Sequence, residues 1–319
     1  MLYLHVFQML ATLNGMAGFY AGRFCMRVDF LCRPAVTVKL EKSVSAPGWT
    51  DRTRKEEHMP ELPEVETLCR QLRQKVPHAK IKGTFILDSK LGKLDNLKGR
   101  GIASVTRLGK RIVLGLDDGR SLEIHLRMTG RLLWQEKPDI GEKPPHSRFI
   151  LDLTPGRIII VDPRRFATLS LVADAAKGNA AVDALKPGCP EALKEKGCNR
   201  SRSIKSFLMD QSIIGGIGNI YACEILYRAG LNPLRRTADL TSEDWRRVGS
   251  AMVEVLSKAV VCRGTSISDW RDLFGCKGEY QKELRVYGRE GKKCPHCGGI
   301  IQRVRLLGRG TWFCPNCQA

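Results

Sequence analysis

The chain has 319 residues, with 53 Lys and Arg against 33 Asp and Glu, a formal net charge of +20. Hydrophobic residues at 43% and charged residues at 27% are enough to bury a core, which excludes a disordered tail protein; no window approaches the roughly 18 uncharged apolar residues of a spanning helix. Such a charge on a folded chain points to a polyanion, without separating nucleic acid from an anionic membrane or a ribosome.

Residues 1–58 read differently from the rest. The opening MLYLHVFQML has no basic start and no clear apolar stretch of a secretory signal, and SVSAPGWTDRTRKEEH at 43–58 has neither helical nor strand period. Lys55-Glu56-Glu57 can be encoded by a purine-rich run of the kind that precedes a bacterial start codon. Residues 1–58 are therefore expected to be a leader, translated from upstream of a true start at Met59 or disordered. From Met59 the text turns regular. Glu64 and Glu66 behind Pro63 suit a first helical turn, Glu64 as an acid that satisfies the helix dipole, and Val65, Leu68, Cys69 and Leu72 recur at helical spacing. Ile112, Leu114 and Leu116 alternate, Asp117-Asp118-Gly119 supplies a turn, and Leu122, Ile124 and Leu126 alternate again, which predicts a β-hairpin with Lys110 at its head.

Further on, helical patterns flank GGIGNIY. Gly215, Gly216 and Gly218 would let the backbone approach a phosphate, with Asn219 at the start of a helix whose free amides make an anion site. Of twelve cysteines, eight are scattered singly. Cys294, Cys297, Cys314 and Cys317 form two C-x-x-C pairs sixteen residues apart, the spacing of a tetrahedral four-cysteine zinc site. The intervening stretch reads as a hairpin with Arg309 near its tip. This cysteine usage fits a reducing cytosol, with one structural Zn2+ and ordinary thiols elsewhere.

MPELPEVET at 59–67 resembles the opening of the bacterial formamidopyrimidine-DNA glycosylases, which repair 8-oxoguanine and ring-opened purines. The resemblance continues through HLRMTG at 125–130, DPRRFA at 162–167, MDQSIIGGIGNIYACEILYRAGLNP at 209–233, ELRVYGREG at 283–291 and the paired cysteines. It implies that Pro60, freed by removal of Met59, is the nucleophile. A secondary amine condensing with an aldehyde gives an iminium with no N–H to lose, a lasting electron sink. Within a longer chain Pro60 is a tertiary amide with no nucleophilicity. Glu61 matches the family's proton-transfer carboxylate, Lys110 its lysine for the damaged base and phosphate, and Arg309 its arginine for the final elimination.

The same resemblance makes Met128, Arg164 and Phe166 the residues inserted where a base has been extruded. Met and Phe are apolar wedges, and Arg can donate to the orphaned cytosine. His146, Arg200, Lys205 and Asn219 match DNA-contact positions, and 263–289 the segment that closes over the lesion. The expected architecture is α+β: an N-terminal β-sandwich with a leading helix over 60–190, a helical domain with a helix–two-turn–helix over 191–284, and a zinc hairpin over 285–319. The expected protein is a monomeric, cytoplasmic, nucleoid-associated bifunctional glycosylase/AP lyase acting on oxidised purines in double-stranded DNA, with no membrane partner. Two rivals are an endonuclease VIII-type enzyme preferring oxidised pyrimidines and a non-enzymatic damaged-DNA binder with a blocked Pro60. Residues 1–58 carry eight basic and five acidic side chains, so most of the positive charge lies in the body from Met59.

Overall fold

The computed structural model describes residues 59–319 except 77, 137–142, 174–180 and 187; the expected leader lies outside the described residues. Helix α1 (Leu62–Lys75) forms where the period predicts it, with Pro63 in its first turn and Arg73 and Lys75 in its last, complementing the helix dipole. Its buried stripe of Val65, Leu68, Cys69 and Leu72 packs against two antiparallel sheets.

One sheet has the order β1 (Ile81–Ile86), β6 (Ser147–Leu153), β7 (Arg157–Val161), β5 (Arg131–Gln135). The other runs β2 (Ile102–Leu108), β3 (Arg111–Leu116), β4 (Ser121–His125), β8 (Thr168–Val172). The predicted hairpin is β3–β4, in register Ile112↔Ile124 and Leu114↔Leu122. Period-two alternation sends Ile112, Leu114, Leu122 and Ile124 into a core shared with Leu132, Phe149, Leu151, Ile158 and Ile160 of the other sheet. The alternate residues of β3, β4 and β8 face outward.

The helical part begins earlier than expected. Two-residue strand β9 (Val182–Asp183) pairs in parallel with β10 (Ile214–Gly215), and Ala184 and Cys189 already belong to the second core, so a boundary at 190/191 would cut helix α2 (Cys189–Gly197). Helices α3 (Ile204–Leu208), α4 (Asn219–Ala229) and α5 (Ser242–Val261) follow. The C-terminal hairpin β11 (Gln302–Leu306)–β12 (Arg309–Phe313) is not a separate unit either. Tyr287, Cys294, Ile301, Trp312 and Cys314 share one core with Tyr221, Leu226 and Met252. Among the described residues no helix is long and apolar enough to cross a membrane.

After α5 the chain crosses to the N-terminal sheets. Trp270 (8% exposed) and Leu273 (1%) join their core, and the Leu273 carbonyl accepts from the Trp134 N–H at 3.1 Å. Gln71 of α1 donates to Asp272 (2.9 Å) and accepts from the Leu273 N–H (3.0 Å). Burying Leu273 alone contributes about 2 kcal/mol to this docking.

Candidate active site and metal centre

Three backbone segments converge at the start of α1. The Leu62 N–H donates to the Gly216 carbonyl at 2.9 Å, drawing α1 against the glycine turn before α4. A Cβ on Gly216 would lie 2.7 Å from the Leu62 side chain, one on Gly218 2.3 Å from the Glu61 carboxyl carbon, and one on Gly215 3.3 Å from Gly109 Cα. These glycines admit α1 and the Lys110 turn, which corrects their reading as a phosphate cradle.

The anion at the α4 N-terminus is a side chain of the protein itself. Glu61, 4% exposed, accepts from the N–H groups of Gly218 (2.8 Å), Ile220 (3.0 Å) and Tyr221 (3.4 Å). Burial pushes its carboxyl pKa up, more than nearby Lys110 and the three amides pull it down. Lys110, half-buried in the turn between β2 and β3, is pushed below the ordinary lysine range, first by burial and then by Arg309, against the opposing pull of Glu61 and Glu64. The result is a carboxyl that holds its proton more tightly than usual beside an ammonium that holds its own less tightly, as proton transfer near neutral pH requires.

Glu64 does more than satisfy a helix dipole. It accepts from the Tyr221 hydroxyl (2.7 Å), the Thr265 N–H (2.6 Å) and the Glu61 N–H (3.0 Å), and its pKa is pushed up to about 7, by burial first and then by the Glu61 charge. Neither Tyr221 nor Thr265 stood out in the sequence, where Tyr221 reads as one more core residue of α4.

A cleft of about 440 Å³ opens at this junction, lined by Met59, Lys110, His125, Gln211 and Arg309 among others, with Pro60 next to Met59 and Glu61 buried behind it. Arg309 reaches it from the hairpin, whose two-residue turn Leu307-Gly308 has φ of 48° and 77°. His125, missed in the sequence although β4's alternation puts it on the outer face, accepts the Arg127 N–H on Nδ1 at 3.0 Å. Its pKa is pushed down to about 3, first by burial and then by Arg127, Arg111 and Lys110. The ring is neutral and Nε2 carries its proton.

The insertion candidates share one anchor. Met128 and Phe166 are each 36% exposed, and the Arg164 guanidinium stacks over the Phe166 ring at 4.7 Å. Buried Asp162 accepts from the hydroxyl of Thr129, beside Met128, and from the N–H groups of Arg164 (3.2 Å) and Ala167 (2.7 Å). Its carboxylate also takes Arg148 Nη1 at 3.1 Å. One carboxylate thus fixes both loops. Nothing in the sequence marks it as buried.

The DNA-contact candidates divide. His146 is exposed beside this anchor, its carbonyl accepting from the Asp162 N–H at 3.0 Å. Arg200 is exposed but caps α2, donating to the Lys196 carbonyl at 2.9 Å. Lys205 is 1% exposed, which corrects its reading as a surface phosphate ligand. Its Nζ donates to Asn219 Oδ1 (2.6 Å), the Gly310 carbonyl (3.0 Å) and Thr311 Oγ1 (2.7 Å). Asn219 Nδ2 donates to the same Gly310 carbonyl at 3.1 Å. Lys205 and Asn219 together fasten the hairpin that carries Arg309. The expected closing segment is docked through Trp270 and Leu273 on the N-terminal core, and no residue of 263–289 lines the cleft.

The four cysteines of the expected metal site converge. All four Sγ atoms lie within 4.8 Å of one another, with Cys297–Cys314 at 3.4 Å and Cys294–Cys317 at 3.8 Å. A tetrahedron with metal–sulfur bonds of about 2.3 Å has edges of about 3.8 Å, so the donor set fits a thiolate-bound metal such as zinc. Tyr227 Oη, 3.3 Å from Cys294 Sγ, and the Gly299 N–H, 3.4 Å from Cys297 Sγ, supply outer hydrogen bonds of the kind that orient such ligands.

Comparison with known proteins places these features in one family. Residues 59–169 match the formamidopyrimidine-DNA glycosylase N-terminal domain, 181–270 its H2TH domain, and 291–319 the zinc finger found in FPG and IleRS. The formamidopyrimidine-DNA glycosylase of Desulfitobacterium hafniense is 38% identical over 274 residues, covering 82% of this chain and 100% of that protein. That of Chloroflexus aurantiacus is 39% identical, covering 82% and 98%. Among solved structures, the MutM (FPG) protein of Thermus thermophilus matches with a TM-score of 0.72 at 36% identity, over 81% of this chain and 98% of that one. A mutant Lactococcus lactis FPG in complex with Fapy-dG containing DNA matches with a TM-score of 0.72 at 30% identity, over 81% and 99%.

Proposed function

The chain belongs to the formamidopyrimidine-DNA glycosylase family of DNA-repair enzymes, and on that premise we propose that it excises 8-oxoguanine and formamidopyrimidines from duplex DNA as a bifunctional glycosylase and abasic-site lyase. The observation that carries this reading is the meeting of Met59, the residue before Pro60, with Lys110 and Arg309 at one cleft, Glu61 lying buried behind it on the α4 amides.

The nitrogen of Pro60, as an amino-terminal secondary amine, attacks C1′ of the extruded nucleotide. The new N–C1′ bond forms as the glycosidic bond breaks, and the base leaves with that electron pair and gains a proton. The Pro60 nitrogen then loses its proton and the C1′–O4′ bond breaks, O4′ taking up a proton, so that the opened sugar carries an iminium that withdraws electrons as the flanking phosphates are lost in turn by β,δ-elimination, leaving a one-nucleotide gap with phosphates at both ends. Glu61 moves protons around the sugar, Lys110 serves the leaving base and a phosphate, and Arg309 assists the last elimination. Met128 and Phe166 fill the vacated stack and Arg164 meets the orphaned cytosine, while His146 and Arg200 contact phosphates. Lys205 and Asn219 act through the hairpin they fasten. One structural Zn2+ on Cys294, Cys297, Cys314 and Cys317 holds that hairpin, and the enzyme works as a monomer.

This chemistry requires Pro60 to be the amino terminus. The test compares protein beginning at Pro60 with the full 319-residue chain on duplexes carrying 8-oxoguanine, a formamidopyrimidine, an oxidised pyrimidine or no lesion. Strand cleavage at the two purine lesions by the Pro60 form alone is expected. Equal cleavage by a full chain whose intact mass shows no processing, or faster cleavage at the pyrimidine, would overturn the reading.

A further inference from the structure

One side chain outside the cleft ties together the segments that meet there: α1, the turn between β2 and β3, and the parallel pair β9–β10 at the glycine turn. Arg107 lies in β2 with its side chain 5% exposed. Its Nε donates to Glu66 Oε2 of α1 at 3.0 Å and its Nη1 to the Gly109 carbonyl at 3.2 Å. Its Nη2 reaches both oxygens of Asp183 in β9, at 2.8 and 2.9 Å. The two carboxylates are also held from their other sides. Glu66 Oε1 takes Arg70 at 3.1 Å and Arg73 at 3.2 Å, and Asp183 Oδ1 takes the Leu185 N–H at 3.0 Å.

The targets of this fork are the immediate neighbours of the reacting groups. Gly109 precedes Lys110, and the next residues after Arg107, from Leu108 to Arg111, line the cleft. Asp183 pairs with Gly215 of β10, the glycine that abuts Gly109. Glu66 stands on the helix whose first turn follows Pro60 and Glu61. Contact between two glycine backbones brings the Lys110 turn against the glycine turn but gives it little direction. A planar guanidinium with donors in fixed directions supplies that direction, because it orients the Gly109 peptide while gripping the Asp183 carboxylate on both oxygens. A lysine, as one point charge on a flexible stem, could not serve three acceptors in this geometry.

We propose that Arg107 is a positioning residue for base excision, which sets the Lys110 ammonium against the start of α1 by holding Gly109, Glu66 and Asp183 at once. The inference rests on the family reading above, since it takes Lys110 to serve the leaving base. Arg107 touches neither DNA nor the reacting atoms. It acts through the Lys110 turn, so its loss should be felt in the step that Lys110 serves and much less where no base has to leave.

Single-turnover rates at saturating protein test it, on a duplex with 8-oxoguanine and on one with a ready-made abasic site, using protein that begins at Pro60. Arg107→Met should slow base release about 10²-fold, the scale of a small misplacement of a catalytic group, and slow cleavage at the abasic site far less. In protein already carrying Lys110→Met, Arg107→Met should slow base release no further, because the two side chains act as one unit. Asp183→Asn, which keeps the shape and weakens only one arm of the fork, should slow base release about tenfold with the same selectivity, and it provides the test if Arg107→Met does not fold. Equal losses on the two duplexes, a full further loss in the Lys110→Met protein, or undiminished base release by folded Asp183→Asn would each overturn the positioning role. Failure of the unaltered protein to act on either duplex would instead remove the family reading on which that role rests.

Discussion

Lys205→Met separates two roles for a buried lysine by sign and size. In the structure the ammonium donates to three acceptors at 2.6, 3.0 and 2.7 Å in a nearly dry site. Methionine fills the same volume and removes both these bonds and the several kcal/mol spent in desolvating the charge. The Gly310 carbonyl keeps Asn219 Nδ2 as a donor, whereas Asn219 Oδ1 loses Lys205 Nζ. Two acceptors, Asn219 Oδ1 and Thr311 Oγ1, are left without that donor at about 1–3 kcal/mol each, and with the desolvation cost recovered a net loss of about 2 kcal/mol is expected, or a fall in Tm of about 5 °C. The hairpin should loosen beside its turn, slowing strand cleavage through Arg309, while the salt slope of DNA binding stays unchanged because no phosphate contact is lost. Thermal melting and a salt titration of duplex binding measure both. An unchanged Tm together with a salt slope lower by about one would show that Lys205 is a phosphate ligand and refute the fastening role.

Asp162→Ala should destabilise by about 3–5 kcal/mol by leaving buried Arg148 short of a partner, and should slow base extrusion as the Met128 and Phe166 loops lose their common anchor; denaturant melts and a fluorescent base opposite the lesion read the two effects. Glu61→Gln should keep the fold and duplex affinity but lose about 10²–10⁴-fold in cleavage, measured in single-turnover gels. The folded pKa of Glu64, about 7, lies above its ordinary value of 4.5, so its contribution to stability is full below about pH 4.5 and is lost as pH rises toward 7. Tm should therefore fall less between about pH 5 and 7.5 in Glu64→Gln than in the unaltered protein. Stripping the metal from the four cysteines should lower Tm and abolish strand cleavage, with both restored by added zinc and metal content followed by atomic absorption.

Much of the architecture was legible because it repeats. The 3.6 period of α1, the alternation of β3 and β4 and the cysteine spacing each report a local geometry that the tertiary structure leaves intact. What could not be read was which polar residues are inside. Lys205, Asp162 and Glu64 look like surface residues until distant partners surround them: Gly310 and Thr311, Arg148, and Thr265. The glycines of GGIGNIY are sites of close approach, as their clustering suggests, but the approaching group is Glu61 and the start of α1. The docking of 263–289 was hidden because Trp270 and Leu273 stand in a polar, glycine-rich stretch with no period to betray two buried side chains. Strands β9 and β10, two residues each, are too short to leave any pattern.

The central claim is that the Pro60 nitrogen becomes covalently joined to the damaged nucleotide. Protein beginning at Pro60 should be mixed with an 8-oxoguanine duplex in borohydride, digested, and its cross-linked peptide sequenced by mass spectrometry. A reduced adduct on the Pro60 nitrogen, formed far more slowly or not at all by Pro60→Gly, is the predicted result. An adduct carried instead by Lys110 or another amine, or excision with no trappable adduct at all, would contradict the account.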